Sequence, residues 1–109
     1  MGSKLVILLM LLSLEINAAI IMQPYLMGVQ SNSVWVLVEC STTDTVTIDF
    51  GTTPAYGTIA RTFSIGTTTE TTYVHKIYVN GLNENSVCYY RARQLASTSS
   101  GYSFVTAPN

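Results

Sequence analysis

The residues that could carry chemistry are few. His75 is the one imidazole, Asp44 and Asp49 stand apart from it in sequence, and Cys40 and Cys88 are the two thiols. Two-metal hydrolysis needs several anionic and imidazole ligands converging on ions about 4 Å apart, and this set cannot supply them. Serine and threonine are abundant, but no Gly-x-Ser-x-Gly elbow occurs and a lone His does not make a triad. Gly51-Thr52-Thr53-Pro54 lacks the Gly-Lys-Ser/Thr ending of a phosphate-cradling loop and reads as a turn. These residues predict no catalytic site, no metal ligands and no cofactor in the chain. His75 reads as a strand-start residue near a loop.

Arg91 and Arg93 share one face of a period-two segment, with Tyr89 beside them. Carbohydrate or phosphate binding is one reading of this strip. The favoured one is a solvated outer face on which Arg91 lies near Asp49 of the neighbouring strand, worth about 0–1 kcal/mol. Five Lys and Arg residues in 109, with a formal net charge of -1, form no basic cluster along the sequence. A polyanion-binding surface and nucleic acid as a partner are therefore not expected. The run Thr67 to Thr72 could be O-glycosylated, or could serve simply as a loop entering a strand.

The elements that must position these residues are strands. Only 10% of residues are charged while 48% are hydrophobic, with many Thr, Val and Tyr, a composition suited to a β-rich domain rather than a disordered one. Residues 1–19 read as a secretory signal peptide, with Lys4 as the positive region, Leu5 to Leu14 as the apolar core and Ala18-Ala19 at the cleavage zone. An uncleaved membrane anchor is the competing reading. Cleavage places the remaining domain, residues 20–109, outside the cell or in the periplasm, with no membrane contact.

Beyond residue 20 no apolar repeat follows the helical period. Alternating runs recur between turn residues and predict seven strands, about 25–29, 34–40, 45–50, 58–64, 72–80, 87–94 and 102–106. A hairpin turn is expected at Ser97 to Gly101. The architecture this implies is an all-β, seven-stranded antiparallel sandwich of the immunoglobulin-like or fibronectin type III-like kind. Parity assigns Val34, Val36 and Val38, Val46, Ile48 and Phe50, Ile77 and Val79, and Cys88, Tyr90 and Ala92 to the core. Cys40 ends one strand and Cys88 starts another that runs the same way on the facing sheet. About six residues at ~3.3 Å each hold them roughly 20 Å apart, beyond the Cα separation of about 7 Å that a disulfide tolerates.

Five motifs occur in order: Pro24-Tyr25-Leu26, Asp49-Phe50-Gly51-Thr52-Thr53-Pro54, Gly81-Leu82, Cys88-Tyr89-Tyr90-Arg91-Ala92 and Tyr102-Ser103-Phe104-Val105-Thr106-Ala107-Pro108. Together they resemble the N-terminal fibronectin type III-like domain of the purple acid phosphatases and related secreted metallophosphoesterases. Two positions depart from that pattern: Val38 stands where such domains usually carry Trp, and Cys88 where they carry the corner Tyr. The resemblance implies a non-catalytic scaffold or interaction module. The dinuclear metal centre of the family would lie in a catalytic domain that this chain does not contain. A stand-alone extracellular protein- or glycan-binding module is the alternative.

One anomaly points to a partner surface. The strand 34–40 is apolar on both faces, and the strand 72–80 repeats this, so Trp35, Leu37, Val74 and Tyr78 should form one patch on an outer sheet face. Such a patch would dock on the catalytic domain or on a second copy of the chain, unless it only stabilises the sheet through cross-strand packing.

Overall fold

A computed structural model describes residues 18–109; the proposed signal peptide lies outside them except for Ala18 and Ala19. The described chain is an all-β sandwich with antiparallel pairing throughout. Its strands are β1 (Tyr25–Met27), β2 (Ser33–Cys40), β3 (Thr47–Gly51), β4 (Thr58–Arg61), β5 (Ser64–Thr67), β6 (Tyr73–Asn80), β7 (Val87–Gln94), β8 (Ser97–Thr98) and β9 (Tyr102–Val105). One sheet runs β1-β2-β6-β5, the other β4-β3-β7, with β8 and β9 both pairing β7.

Nine strands replace the seven expected, for two reasons. The segment 58–64 is not one edge strand. It serves the five-stranded sheet as β4, then crosses and serves the four-stranded sheet as β5. The crossing takes a single residue: the Thr62 amide donates to the Val46 carbonyl at 3.0 Å, and the next amide, of Phe63, donates to the Lys76 carbonyl at 2.8 Å. The hairpin after β7 also turns earlier than expected, at Leu95-Ala96 rather than over 97–101, with Leu95 at a φ of 51° and Ser97 already opposite Gln94.

Strand parity placed the core correctly. Val34, Val36, Val38, Cys40, Val46, Ile48, Phe50, Ile77, Val79, Cys88, Tyr90 and Ala92 are buried between the sheets, with Leu26, Leu82, Tyr102 and Phe104 packed against them. Burying a Val, Ile or Phe side chain contributes about 1.5–3 kcal/mol each, so the β-branched alternation of β2 and β6 is the main cohesive element. Ile20 extends this packing by bridging to Cys40, while Ser41 donates its amide to the Ala19 carbonyl at 2.9 Å.

His75 is the third residue of β6, and it reaches the loop between β2 and β3 from inside the sandwich. It is fully buried on the inner face of β6. Its Nε2 lies 2.9 Å from the Thr42 carbonyl and its Nδ1 3.0 Å from the Thr62 hydroxyl. The carbonyl can only accept, which fixes the proton on Nε2 and leaves Nδ1 to accept from Thr62. Gln94, also buried, donates its amide to the carbonyls of Thr42 and Asp44. Two carbonyls of the loop between β2 and β3, those of Thr42 and Asp44, are thus satisfied from two different strands.

The corner between β6 and β7 is tied without the tyrosine of the resembled family. Thr106, buried just after β9, accepts from the Ser86 amide at 2.9 Å and donates to the Asn83 carbonyl at 2.5 Å. The two cysteines are free and buried at opposite ends of the sandwich, Cys40 beside Tyr73 and Cys88 beside Phe104.

Replacing His75 by Ala should strip the Thr42 and Thr62 oxygens of a partner and open a cavity. The cost is about 2–4 kcal/mol, measured as a lower urea midpoint with the fold's circular dichroism retained.

Candidate functional site

Two outer sheet faces and one cleft carry the candidate groups. On the four-stranded sheet, residues directly opposite across an antiparallel pair share a face. Trp35 stands opposite Tyr78 and Met27, Leu37 opposite Lys76 and Tyr25, and Glu39 opposite Val74. The structure therefore brings Trp35, Leu37 and Tyr78 together. Val74 lies on the same face but at its polar end, beside Glu39, whose carboxylate accepts from the Thr72 hydroxyl at 2.6 Å.

The centre of the face is aromatic. The Trp35 and Tyr78 rings are 4.8 Å apart, and Phe63 meets Trp35 edge-on at 5.5 Å. The Lys76 ammonium sits 4.5 Å over the Trp35 ring, a cation–π contact worth about 0.5–1 kcal/mol at an exposed site. Phe63 is 74% exposed, and Tyr25, Met27 and Tyr78 are each more than 40% exposed. Phe63 was not foreseen: it reaches this face only because the chain has changed sheets one residue earlier. Tyr25 and Met27 carried a parity signal, but their exposure depends on β1 being an edge.

On the five-stranded sheet, Asp49 lies between two guanidiniums. Arg91 Nε donates to its Oδ2 at 2.8 Å, and Arg93 donates Nε to Oδ2 at 2.6 Å and Nη2 to Oδ1 at 2.9 Å. The Arg93 hydrogen bonds, assisted by those of Arg91, hold the Asp49 carboxyl below its ordinary range against the opposing effect of burial. Tyr56 lies under Arg91 at 4.9 Å. It is carried there by a loop that folds back so closely that a Cβ at Gly51 would overlap the Tyr56 carbonyl oxygen. The pairing of Arg91 with Asp49 was expected; the bidentate Arg93 contact was not. The register also sets Arg61 opposite Thr47, and Thr47 opposite Arg93. All three arginines of the chain therefore share one outer face, which corrects the expectation of no basic cluster.

The cleft, of about 190 Å³, opens at the end of the sandwich between Phe50, Tyr56, Leu82 and Cys88. Burial pushes the Cys88 thiol up, and burial with the neighbouring Glu39 carboxylate pushes Cys40 up to about 11. Both are held as thiols, the unreactive form. Among the described residues no group of three or more His, Cys, Asp or Glu side chains converges as metal ligands, and both ring nitrogens of His75 are engaged by protein groups.

No protein-family model matches this chain, and no curated protein matches it in sequence. Among solved structures it is similar to the sensor domain of the anti-sigma factor RsgI4 of Pseudobacteroides cellulosolvens. The TM-score is 0.58 at 10% identity, over 87% of this chain and 92% of that one. At that identity the likeness is one of fold: both are β-sandwiches of similar extent.

Replacing Asp49 by Asn should cost about 1–2 kcal/mol at neutral pH, limited because the guanidinium ends face water. A carboxylate whose folded pKa is depressed stabilises fully above its unfolded value of about 3.9 and loses that contribution as pH falls through the lower folded value. The gap between wild type and D49N in urea unfolding should therefore close below about pH 4. In thiol titration, native protein should react slowly, and unfolded, unreduced protein should show both thiols.

Proposed function

We propose that this chain is a non-catalytic, exported β-sandwich module that docks on another protein surface through the aromatic face of its four-stranded sheet. The observation that carries the reading is the cluster of Trp35, Phe63, Tyr78, Leu37 and Met27 on a face that should alternate apolar with polar. Trp and Tyr concentrate binding energy where they are desolvated by a partner. The rings are not a flat stacking platform: Phe63 is inclined at 68° and Tyr78 at 44° to Trp35, and Lys76 covers the Trp35 ring. That geometry favours a contoured protein surface over the flat face of a sugar ring.

The resemblance of the five ordered motifs supports a more specific form of the proposal, in which the sandwich precedes a purple acid phosphatase-like catalytic domain and packs against it. Metal binding and phosphate ester hydrolysis would then belong to that domain. The Lys4, apolar core and Ala19 pattern supports export, with a mature chain beginning at Ala19 or Ile20. The pairing of Ala19 with Ser41, beside that of Ile20 with Cys40, suits the earlier start, at Ala19.

Sedimentation of the mature chain, alone and with a metallophosphoesterase catalytic domain supplied separately, tests the reading. Complex formation should weaken at least about tenfold, equivalent to about 1.4 kcal/mol, in the Trp35→Ser, Tyr78→Ser double variant, with the fold retained. A chain that stays monomeric at high concentration and binds the catalytic domain no better than the variant does would show that the cluster only stabilises the sheet.

A further inference from the structure

The outer face of the five-stranded sheet is chemically the opposite of the aromatic face. Its strands carry Arg61, Arg91 and Arg93 and one acid, Asp49. Three guanidiniums against one carboxylate leave an excess of two positive charges on a chain whose formal net charge is -1. We infer that this face binds an acidic glycan, a sugar chain bearing carboxylate or sulfate groups.

Three features favour such a ligand. The first is spare, oriented donor capacity. A guanidinium has five N–H groups. Arg91 commits one of its donor atoms to Asp49 and Arg93 two. Both side chains remain about 40% exposed while Asp49 is 10% exposed beneath them. The carboxylate thus fixes the inner edges of two forks and leaves their outer edges for a second oxyanion, with less side-chain entropy to lose on binding. The second feature is shape. Arg91 and Arg93 are two residues apart on β7, and Arg61 lies two strands from Arg93, roughly 10 Å away. The charges are spread over an open sheet, which suits a repeating polyanion better than a single enclosed ion. The third feature is what lies between the charges. Thr47 separates Arg61 from Arg93, Thr98 lies opposite Arg93, and Ser103 opposite Tyr89. These hydroxyls can exchange hydrogen bonds with sugar hydroxyls, and the Tyr56 ring under Arg91 supplies an apolar edge. An acidic peptide would match the charges but would bring fewer hydroxyl groups to meet these side chains.

The test is calorimetric titration of the full chain with dextran sulfate, polygalacturonate, uncharged dextran and polyglutamate. At low salt the two acidic glycans should bind, with the tighter one identifying sulfate or carboxylate as the preferred group, and uncharged dextran should not. Binding should fade in high salt, where the screening length shrinks to about 3 Å at 1 M. The Arg61→Gln, Arg91→Gln variant keeps the bidentate Arg93–Asp49 pair and should lose at least about tenfold in affinity. Arg61→Gln alone, which breaks no hydrogen bond to Asp49, should lose about threefold. The Trp35→Ser, Tyr78→Ser variant should bind like wild type, which keeps this inference separate from the docking proposal. Polyglutamate binding as tightly as the glycans, no binding at low salt, or full affinity in Arg61→Gln, Arg91→Gln would overturn it.

Discussion

The structure depends on a single residue at which the chain changes sheets. In an unbroken strand, Arg61 and Phe63 would point to the same side. Here Thr62 stands between them, with its amide on Val46 and its hydroxyl accepting from the Val46 amide at 2.8 Å. The same hydroxyl lies 3.0 Å from His75 Nδ1. Arg61 consequently finishes on the outer face of one sheet and Phe63 on the outer face of the other. The basic face and the aromatic face are both completed by neighbours of one inward-turned threonine.

That crossing is anchored by buried polar groups, and the low dielectric around them makes the anchor strict. An unpartnered imidazole, amide or carbonyl in the interior costs about 1–3 kcal/mol. His75 and Gln94 meet this demand by donating to the loop carbonyls of Thr42 and Asp44. The aliphatic core beside them is non-directional and would tolerate sliding; the imidazole would not. The register of β6 against β2, and with it the positions of Trp35 and Tyr78, is held by apolar alternation in the middle and by this polar junction at one end.

The two outer faces differ because the sheets differ in what their edges bring. The four-stranded sheet has short edges, β1 and β5, that contribute Tyr25 and Met27 and little charge. The five-stranded sheet carries Arg61 on its β4 edge, and inward of it Asp49 of β3 pairs with Arg91 and Arg93 of β7. The likeness to an anti-sigma factor's sensor domain at 10% identity is one of fold. A fold of this kind does not by itself fix a function; the sites carried on it do.

The fold class and the core are legible in the order of residues alone. Alternation in β2, β6 and β7 is a local, period-two signal, and every parity assignment from Val34 to Ala92 holds in the sandwich. Equally legible is the shared face of Trp35, Leu37, Val74 and Tyr78, since parity and one strand pairing suffice. Where the chain leaves one sheet for the other emerges only on folding, because nothing local in Ala60-Arg61-Thr62-Phe63 distinguishes a crossing from a continuing edge strand. The fate of His75 followed from that choice, since its partners Thr42 and Thr62 are 33 and 13 residues away. So did the gathering of Arg61 with Arg91 and Arg93 and the addition of Phe63 to the aromatic cluster. Charge clusters and ring contacts across strands depend on register, and register is a property of paired chains rather than of any one segment.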